Sequence, residues 1–394
     1  MYIKRSISEL ILAGAQDSPV ISIVGPRQSG KSTLSKQLFP HHAYVDMQEP
    51  SVLEFALSDP KGFLQTYTNE YGIIVDEAQY APILFDQIKV EVDRNRDKMG
   101  RYILTGSQHF LLSEKITESL AGRVYLYKLL PLSFKELTDV SRLELTVEQQ
   151  IIKGFYPNLY DKQKLVHTFY ESYFYTYVER DVRSLRNIGN IGLFKKFIQL
   201  CIARIGQPLN FTSLANETGI SIVTVRAWLS LLEASFIIYL LPSFHTNLSK
   251  RVVKSPKLYF YDTGLAADIA GITVEMLKSR RDLVGSLFEN MIITDIMKEC
   301  INRGLRHQLF FFRDNNLKEI DLIIDMAGLQ IPLEIKASMT LQSSFFDSIN
   351  WLTQELSLKN KNILVYGGDQ VQHRTTTTVF PWNKTYEIFD NKEL

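Results

Sequence analysis

The chain has 394 residues, 45% of them apolar and 22% charged. That is enough for two or three packed domains, and it excludes a disordered tail, a collagen-like rod and a disulfide-stapled miniprotein. Forty-four basic residues against forty-three acidic ones leave a net charge of +1, so any nucleic-acid surface has to be local.

Strands are predicted at 20–24, 43–46, 71–76 and 101–105, with helical patterns between them. Strands alternating with helices argue for an α/β unit with a parallel sheet covered on both faces, ending near 130–132. From 133 to 200 the pattern is helical and rich in tyrosine; Tyr170, Tyr173, Tyr175 and Tyr177 read as packing residues rather than a ligand cage. A helix-turn-helix pattern follows over 208–244. After Pro256 the reading is mixed: a strand at 257–261, a helix at 283–300, then strands around Leu309, 320–324 and 333–335. The expected domains are 1–135, 136–198, 199–256 and 257–394. Cys201 and Cys300 match no metal-ligand spacing and read as free thiols in a reducing compartment. No apolar run reaches the roughly 20 residues needed to cross a bilayer, and 10–13 is broken by Gly14 and Gln16 before it could serve as a signal peptide. A cytoplasmic protein with no membrane partner is expected.

Gly25-Pro26-Arg27-Gln28-Ser29-Gly30-Lys31-Ser32 fits G-x-x-x-x-G-K-[ST] between a buried strand and a helix. The glycines let backbone N–H groups face a phosphate at the positive end of the helix. Lys31 would neutralise the β/γ oxygens of ATP, Ser32 would place its hydroxyl on Mg²⁺, and Arg27 and Thr33 would lie close by. The apolar strand 73–75 ends in Asp76 and Glu77, placed to hold Mg²⁺ through water and to orient the attacking water. Ser107 or Gln108, at the end of the next strand, read as γ-phosphate sensors or as turn residues. Arg123, after Gly122, reads as a source of transition-state charge, in cis or from a neighbouring copy in an oligomer, or as a surface ion-pair partner.

In the helix-turn-helix, Gly219 makes the turn and Ser221 caps the second helix, which presents Arg226. The strand near 236–241 and a basic tip at Lys250, Arg251 and Lys254 complete a winged-helix pattern. One charge on the second helix is few for base reading, while the tip suits phosphate contact; DNA and a protein remain candidate partners.

Toward the carboxyl end, alternation along a strand puts Glu334 and Lys336 on one face. Asp321 on the preceding strand, with Glu289 from a helix, could converge with Glu334 on one Mg²⁺ or Mn²⁺, leaving Lys336 beside the attacking water. The competing reading is a set of charged residues on an exposed sheet face.

Taken together these segments resemble a prokaryotic family of AAA-type P-loop ATPases whose carboxyl half has a PD-(D/E)xK nuclease-like core. The resemblance rests on 25–33, 73–77, 104–107, 120–123, 177–181, 257–265, 285–290 and 319–336, nearly the full length. It implies ATP binding, hydrolysis and a middle winged helix, with a carboxyl core described by its fold rather than by a firm activity. Alternatively, that core is a decayed nuclease serving as a protein-interaction platform. The 177–181 and 259–265 motifs have no evident chemistry; Arg180 and Asp181 read as an ion pair or a relay of nucleotide state.

Overall fold

The computed structural model describes residues 2–95, 97–107, 119–144, 146–161, 164–182, 190–244, 255–305, 308–314, 318–326, 328–355, 358 and 362–390, and their side chains except those of 179–182. Its amino-terminal sheet contains β1 (Val20–Val24), β2 (Ala43–Asp46), β3 (Ile73–Asp76), β4 (Tyr102–Gly106) and β5 (Val124–Lys128), all parallel, in the order β2-β3-β4-β1-β5. Strands β1, β3 and β4 are buried along their whole length, which is why their sequences run apolar without alternation. The order has a consequence that spacing alone does not give. Strand β4 lies between β1, which feeds the glycine-rich loop, and β3, which ends in Asp76. The carboxyl ends of all three strands therefore meet at one edge.

The middle of the chain is helical. Helix Val166–Tyr173 continues into a π-helical segment, Phe174–Val182, and Ile191–Ile202 precedes the helix pair Phe211–Thr218 and Ile222–Ala234. Gly219 joins that pair at φ 83°, a left-handed conformation that glycine adopts without strain. An antiparallel ribbon of β6 (Ile238–Leu241) and β7 (Lys257–Phe260) follows. Because β7 pairs with β6 and not with the carboxyl-terminal sheet, a boundary after Pro256 falls inside this ribbon.

The last unit is a mixed six-stranded sheet of β8 (Gln308–Arg313), β9 (Glu319–Met326), β10 (Leu329–Lys336), β11 (Asn362–Tyr366), β12 (Gln372–His373) and β13 (Thr377–Pro381), ordered β12-β13-β11-β10-β9-β8. Helix Arg281–Asn302 spans about 33 Å at 1.5 Å per residue and touches every unit through buried polar groups. Asn290 bonds the backbone N and O of Phe260 at 2.7 Å each. Asp295 accepts from the N–H of Phe134 at 2.8 Å, and Lys298 donates to the carbonyl of Leu132 at 2.9 Å. One apolar core runs from Ile3 through Phe134, Tyr156 and Phe288 to Ile335.

Candidate functional site: the glycine-rich loop and the carboxylate cluster

The loop after β1 owes its shape to three local requirements. Gly25 has no room for a side chain, since a Cβ there would stand 2.0 Å from the carbonyl oxygen of Leu129. Gln28 and Gly30 take left-handed φ values of 61° and 95°. Helix Lys31–Leu38 then starts at the loop, so its first N–H groups face the same space. A cavity of about 490 Å³ opens there, lined by 27–33 and Glu77. Lys31 is buried and donates to the carbonyls of Gly25 and Pro26 at 2.9 Å each. Burial pushes its ammonium down to about 8, opposed by the charges of Glu77 and Asp76. The buried hydroxyl of Ser29 has no protein partner. A concave site with loop amides, an ammonium and an unmatched hydroxyl suits a polyphosphate. Ser32 and Thr33 line it as expected.

Asp76 and Glu77 do different things. The Asp76 carboxylate accepts from Tyr44 at 2.7 Å, from Thr105 and from the Glu77 N–H at 3.2 Å. Glu77, at φ 52°, faces the cavity. Its Oε2 accepts from the N–H of Ser107 at 3.2 Å, from the Ser107 hydroxyl at 3.0 Å and from Gln79. Ser107 is thus a holder of Glu77 and does not line the cavity as a phosphate sensor. Gln108 lies outside the described residues, as do the side chains of Arg180 and Asp181.

Arg123 corrects an expectation. It precedes β5, whose first residue pairs in register with Val20, so it lies at the opposite edge of the sheet from the loop. Five residues at roughly 3.3 Å each separate the two by about 16 Å. Its guanidinium is bidentate on Asp93 at 2.8 and 3.0 Å. It cannot reach the phosphates of its own cavity.

Two contributors escaped the sequence reading. Arg5 is 4% exposed and lines the same cavity. It donates to Ser29 O at 2.7 Å, Leu130 O at 2.6 Å and Glu136 Oε1 at 3.1 Å. Because the peptide group is planar and trans, holding Ser29 O fixes the direction of the Gly30 N–H as well. The second is the middle unit, which closes one wall with Pro157, Asn158 and Asp161; Asn158 donates to Gln28 at 3.0 Å. Nearby, Arg27 lies 5.7 Å from the centre of the Tyr177 ring. The Tyr177 hydroxyl reaches Ser235 O at 3.0 Å and Ser107 O at 3.4 Å.

Asp262 explains the 259–265 motif. It caps helix Thr263–Ile269 through Leu265 N at 2.9 Å and also holds Phe155 N and Tyr170 OH, both at 2.7 Å.

In the carboxyl-terminal unit the three expected acidic residues face one another, but each is engaged by protein. Glu289 Oε1 accepts from Lys257 at 3.2 Å and Tyr259 at 2.5 Å. Asp321 accepts from Ile335 N at 2.8 Å, and Glu334 pairs with Lys336 at 2.5 Å. Burial, then the Asp321 charge, raises Glu289 to about 7 and Glu334 to about 8. Glu334 Oε2 has no partner. Among the described residues no group of three His, Cys, Asp or Glu is placed to hold a metal ion. The donor set as it stands does not fit the expected Mg²⁺ or Mn²⁺, because the Lys257 and Lys336 ammonium groups already lie among these carboxylates and offset the charge such an ion would meet.

On the middle helix pair, Arg226 lies 4.5 Å from the centre of the Phe211 ring. Lys250, Arg251 and Lys254 lie outside the described residues. Among the described residues no helix is long and apolar enough to cross a membrane, and both cysteines are buried.

Comparison with known proteins adds three domain assignments. Residues 17–138 match the AAA domain, 144–275 a domain of unknown function (DUF8612), and 284–385 another (DUF4143). An uncharacterized protein of Mycobacterium tuberculosis is 27% identical over 340 residues, 86% of this chain and 74% of its own length. One of Methanocaldococcus jannaschii is 24% identical over 333 residues, 77% of this chain and 71% of its own. Among solved structures, the Walker-type ATPase of Pyrococcus abyssi aligns with a TM-score of 0.42 at 15% identity, covering 68% of this chain and 96% of that one. With the strand, loop, lysine and acidic strand end already in place, the match over 17–138 makes the amino-terminal unit an AAA-type P-loop ATPase domain.

Proposed function

We propose that the protein binds ATP with Mg²⁺ at the loop, hydrolyses it, and passes the nucleotide state to its middle and carboxyl-terminal units. The observation that carries this reading is the wall of the cavity: Pro157, Asn158 and Asp161 of the middle unit face the same space as Lys31 and Glu77. A phosphate arriving between them changes contacts in both units at once. When bound, Mg²⁺ would be held by the Ser32 hydroxyl and, through water, by Asp76, and would offset charge on the β/γ oxygens. Lys31 would leave the Gly25 and Pro26 carbonyls for those oxygens. Glu77, held by Ser107, would orient the attacking water and take its proton.

The output favoured here is a nucleotide-switched protein contact in the cytoplasm. Val223, 77% exposed, and Ile222, 41% exposed, begin the second helix of the pair, where a base reader would carry polar groups. Arg226 is stacked on Phe211. DNA contact through the winged-helix pattern is the second reading, resting on the basic residues at 250, 251 and 254. No cutting step is assigned to the nuclease-like unit.

The test is ATP turnover by the full chain, with nucleotide binding measured separately. Lys31→Ala should lose binding, and Glu77→Gln should keep bound ATP without turning it over. Normal turnover by Glu77→Gln would remove Glu77 from the mechanism. Turnover unchanged in both variants would remove the site altogether.

A further inference from the structure

The carboxylate cluster of the last unit contains a residue that comes from elsewhere in the fold. Lys257 lies on β7 of the middle ribbon, is 0% exposed, and points its ammonium into the acidic group. Its Nζ is 3.2 Å from Glu289 Oε1 and 2.5 Å from Glu319 Oε1. Tyr259, two residues along the same strand and hence on the same face, donates to the same Glu289 oxygen. Gly206 closes the other side: a Cβ there would lie 3.2 and 3.3 Å from the two Glu289 oxygens. Arg313 approaches Glu319 at 3.7 Å, and Lys336 holds Glu334 at 2.5 Å.

Four carboxylates, Glu289, Glu319, Asp321 and Glu334, thus meet three fixed cations, Lys257, Arg313 and Lys336. A buried lysine is stable only where carboxylates offset its desolvation, and this one has two within ion-pair distance. We infer that Lys257 is the resident cation of this cluster, occupying the place a divalent metal would take and fastening the ribbon to the carboxyl-terminal sheet. The cluster is then an ion lock between units, and metal binding there requires the lysine to leave. The inference concerns this cluster alone and stands whether or not the loop hydrolyses ATP.

The test is Mn²⁺ binding to the full chain without nucleotide, followed by electron paramagnetic resonance, with folding checked by circular dichroism. Wild type is expected to show no Mn²⁺ signal that depends on Asp321. The Lys257→Met/Glu319→Gln variant removes one charge of each sign, so that no added charge is left unpaired. It should gain one bound Mn²⁺ per chain, and adding Asp321→Asn should remove it. Lys257→Arg should behave as wild type. A wild-type Mn²⁺ site lost in Asp321→Asn would overturn the inference, as would a folded Lys257→Met/Glu319→Gln protein that gains no metal. If that variant does not fold, the comparison of wild type with Asp321→Asn decides alone.

Discussion

Arg5→Met is the perturbation that most directly probes how the loop is held. In the native protein the guanidinium serves two carbonyls and one carboxylate within 3.1 Å, at a site 4% exposed. Removing one member of a buried ion pair costs about 3–5 kcal/mol, since the remaining charge keeps its desolvation penalty. Glu136 keeps the N–H groups of Ser6 at 2.7 Å and Ser133 at 3.0 Å, which places the expected loss near the lower end, about 3 kcal/mol. A second effect is separable from the first. The Ser29–Gly30 peptide would lose the tether that aims its N–H, and one hydrogen bond to a charged phosphate is worth about 1.5 kcal/mol, or roughly tenfold in ATP affinity. Urea denaturation reads the first quantity and titration with a fluorescent ATP analogue the second. The double variant Arg5→Met/Glu136→Met leaves neither charge of the pair but also strips the acceptor from the Ser6 and Ser133 N–H groups. It should be no more stable than Arg5→Met, with ATP affinity equally weak. A single variant losing under about 1 kcal/mol with unchanged affinity would refute the argument.

Three further outcomes are expected. Gly25→Ala must push Leu129 away from its 2.7 Å bond to Val24 O, so both the thermal midpoint and ATP binding should fall. Asp262→Ala leaves the Phe155 N–H without its acceptor, leaves the Tyr170 hydroxyl only the Lys153 carbonyl, and uncaps a helix; denaturation should show a loss of about 2 kcal/mol or more. Glu299 is 1% exposed, and burial, then the Asp295 charge, pushes it up to about 7. A raised carboxyl pKa means that the fold favours the protonated form. That contribution is complete below the ordinary value near 4.5 and is lost as pH rises through about 7. Glu299→Gln should therefore gain on wild type between pH 5 and pH 8, by up to about 3 kcal/mol, in parallel denaturation curves. An unchanged difference across that range would contradict the assignment.

What the sequence disclosed follows from range. The strand, loop and helix around Gly25 to Ser32 lie within one continuous stretch from Val20 to Leu38, so an apolar run and two glycines suffice to read them. Glu334 and Lys336 are two apart on a strand, and their shared face is an ion pair in the structure. Arg5 meets partners 24, 125 and 131 residues away, and nothing local marks it. The position of β4 between β1 and β3 was equally hidden, and with it the fact that Ser107 serves Glu77. For Arg123 only the reading in cis falls, since a glycine–arginine pair does not say at which end of a strand it will stand; its ion pair with Asp93 is the surface partnership also expected. Strand alternation identifies the carboxylates of the last unit but not the lysine that reaches them from another ribbon.

The long helix Arg281–Asn302 has a consequence for how the molecule can be divided. Family comparisons cut the chain into three consecutive segments, yet this helix supplies the acceptor for Phe134 N–H and the donor for Leu132 O, both inside the first. A fragment ending at residue 138 would expose Phe134 and Leu137, which are 0% accessible in the intact chain, and strand two backbone groups without partners. The ATPase segment is therefore not portable. Its carboxyl end finds these two partners only in residues synthesised more than a hundred positions later.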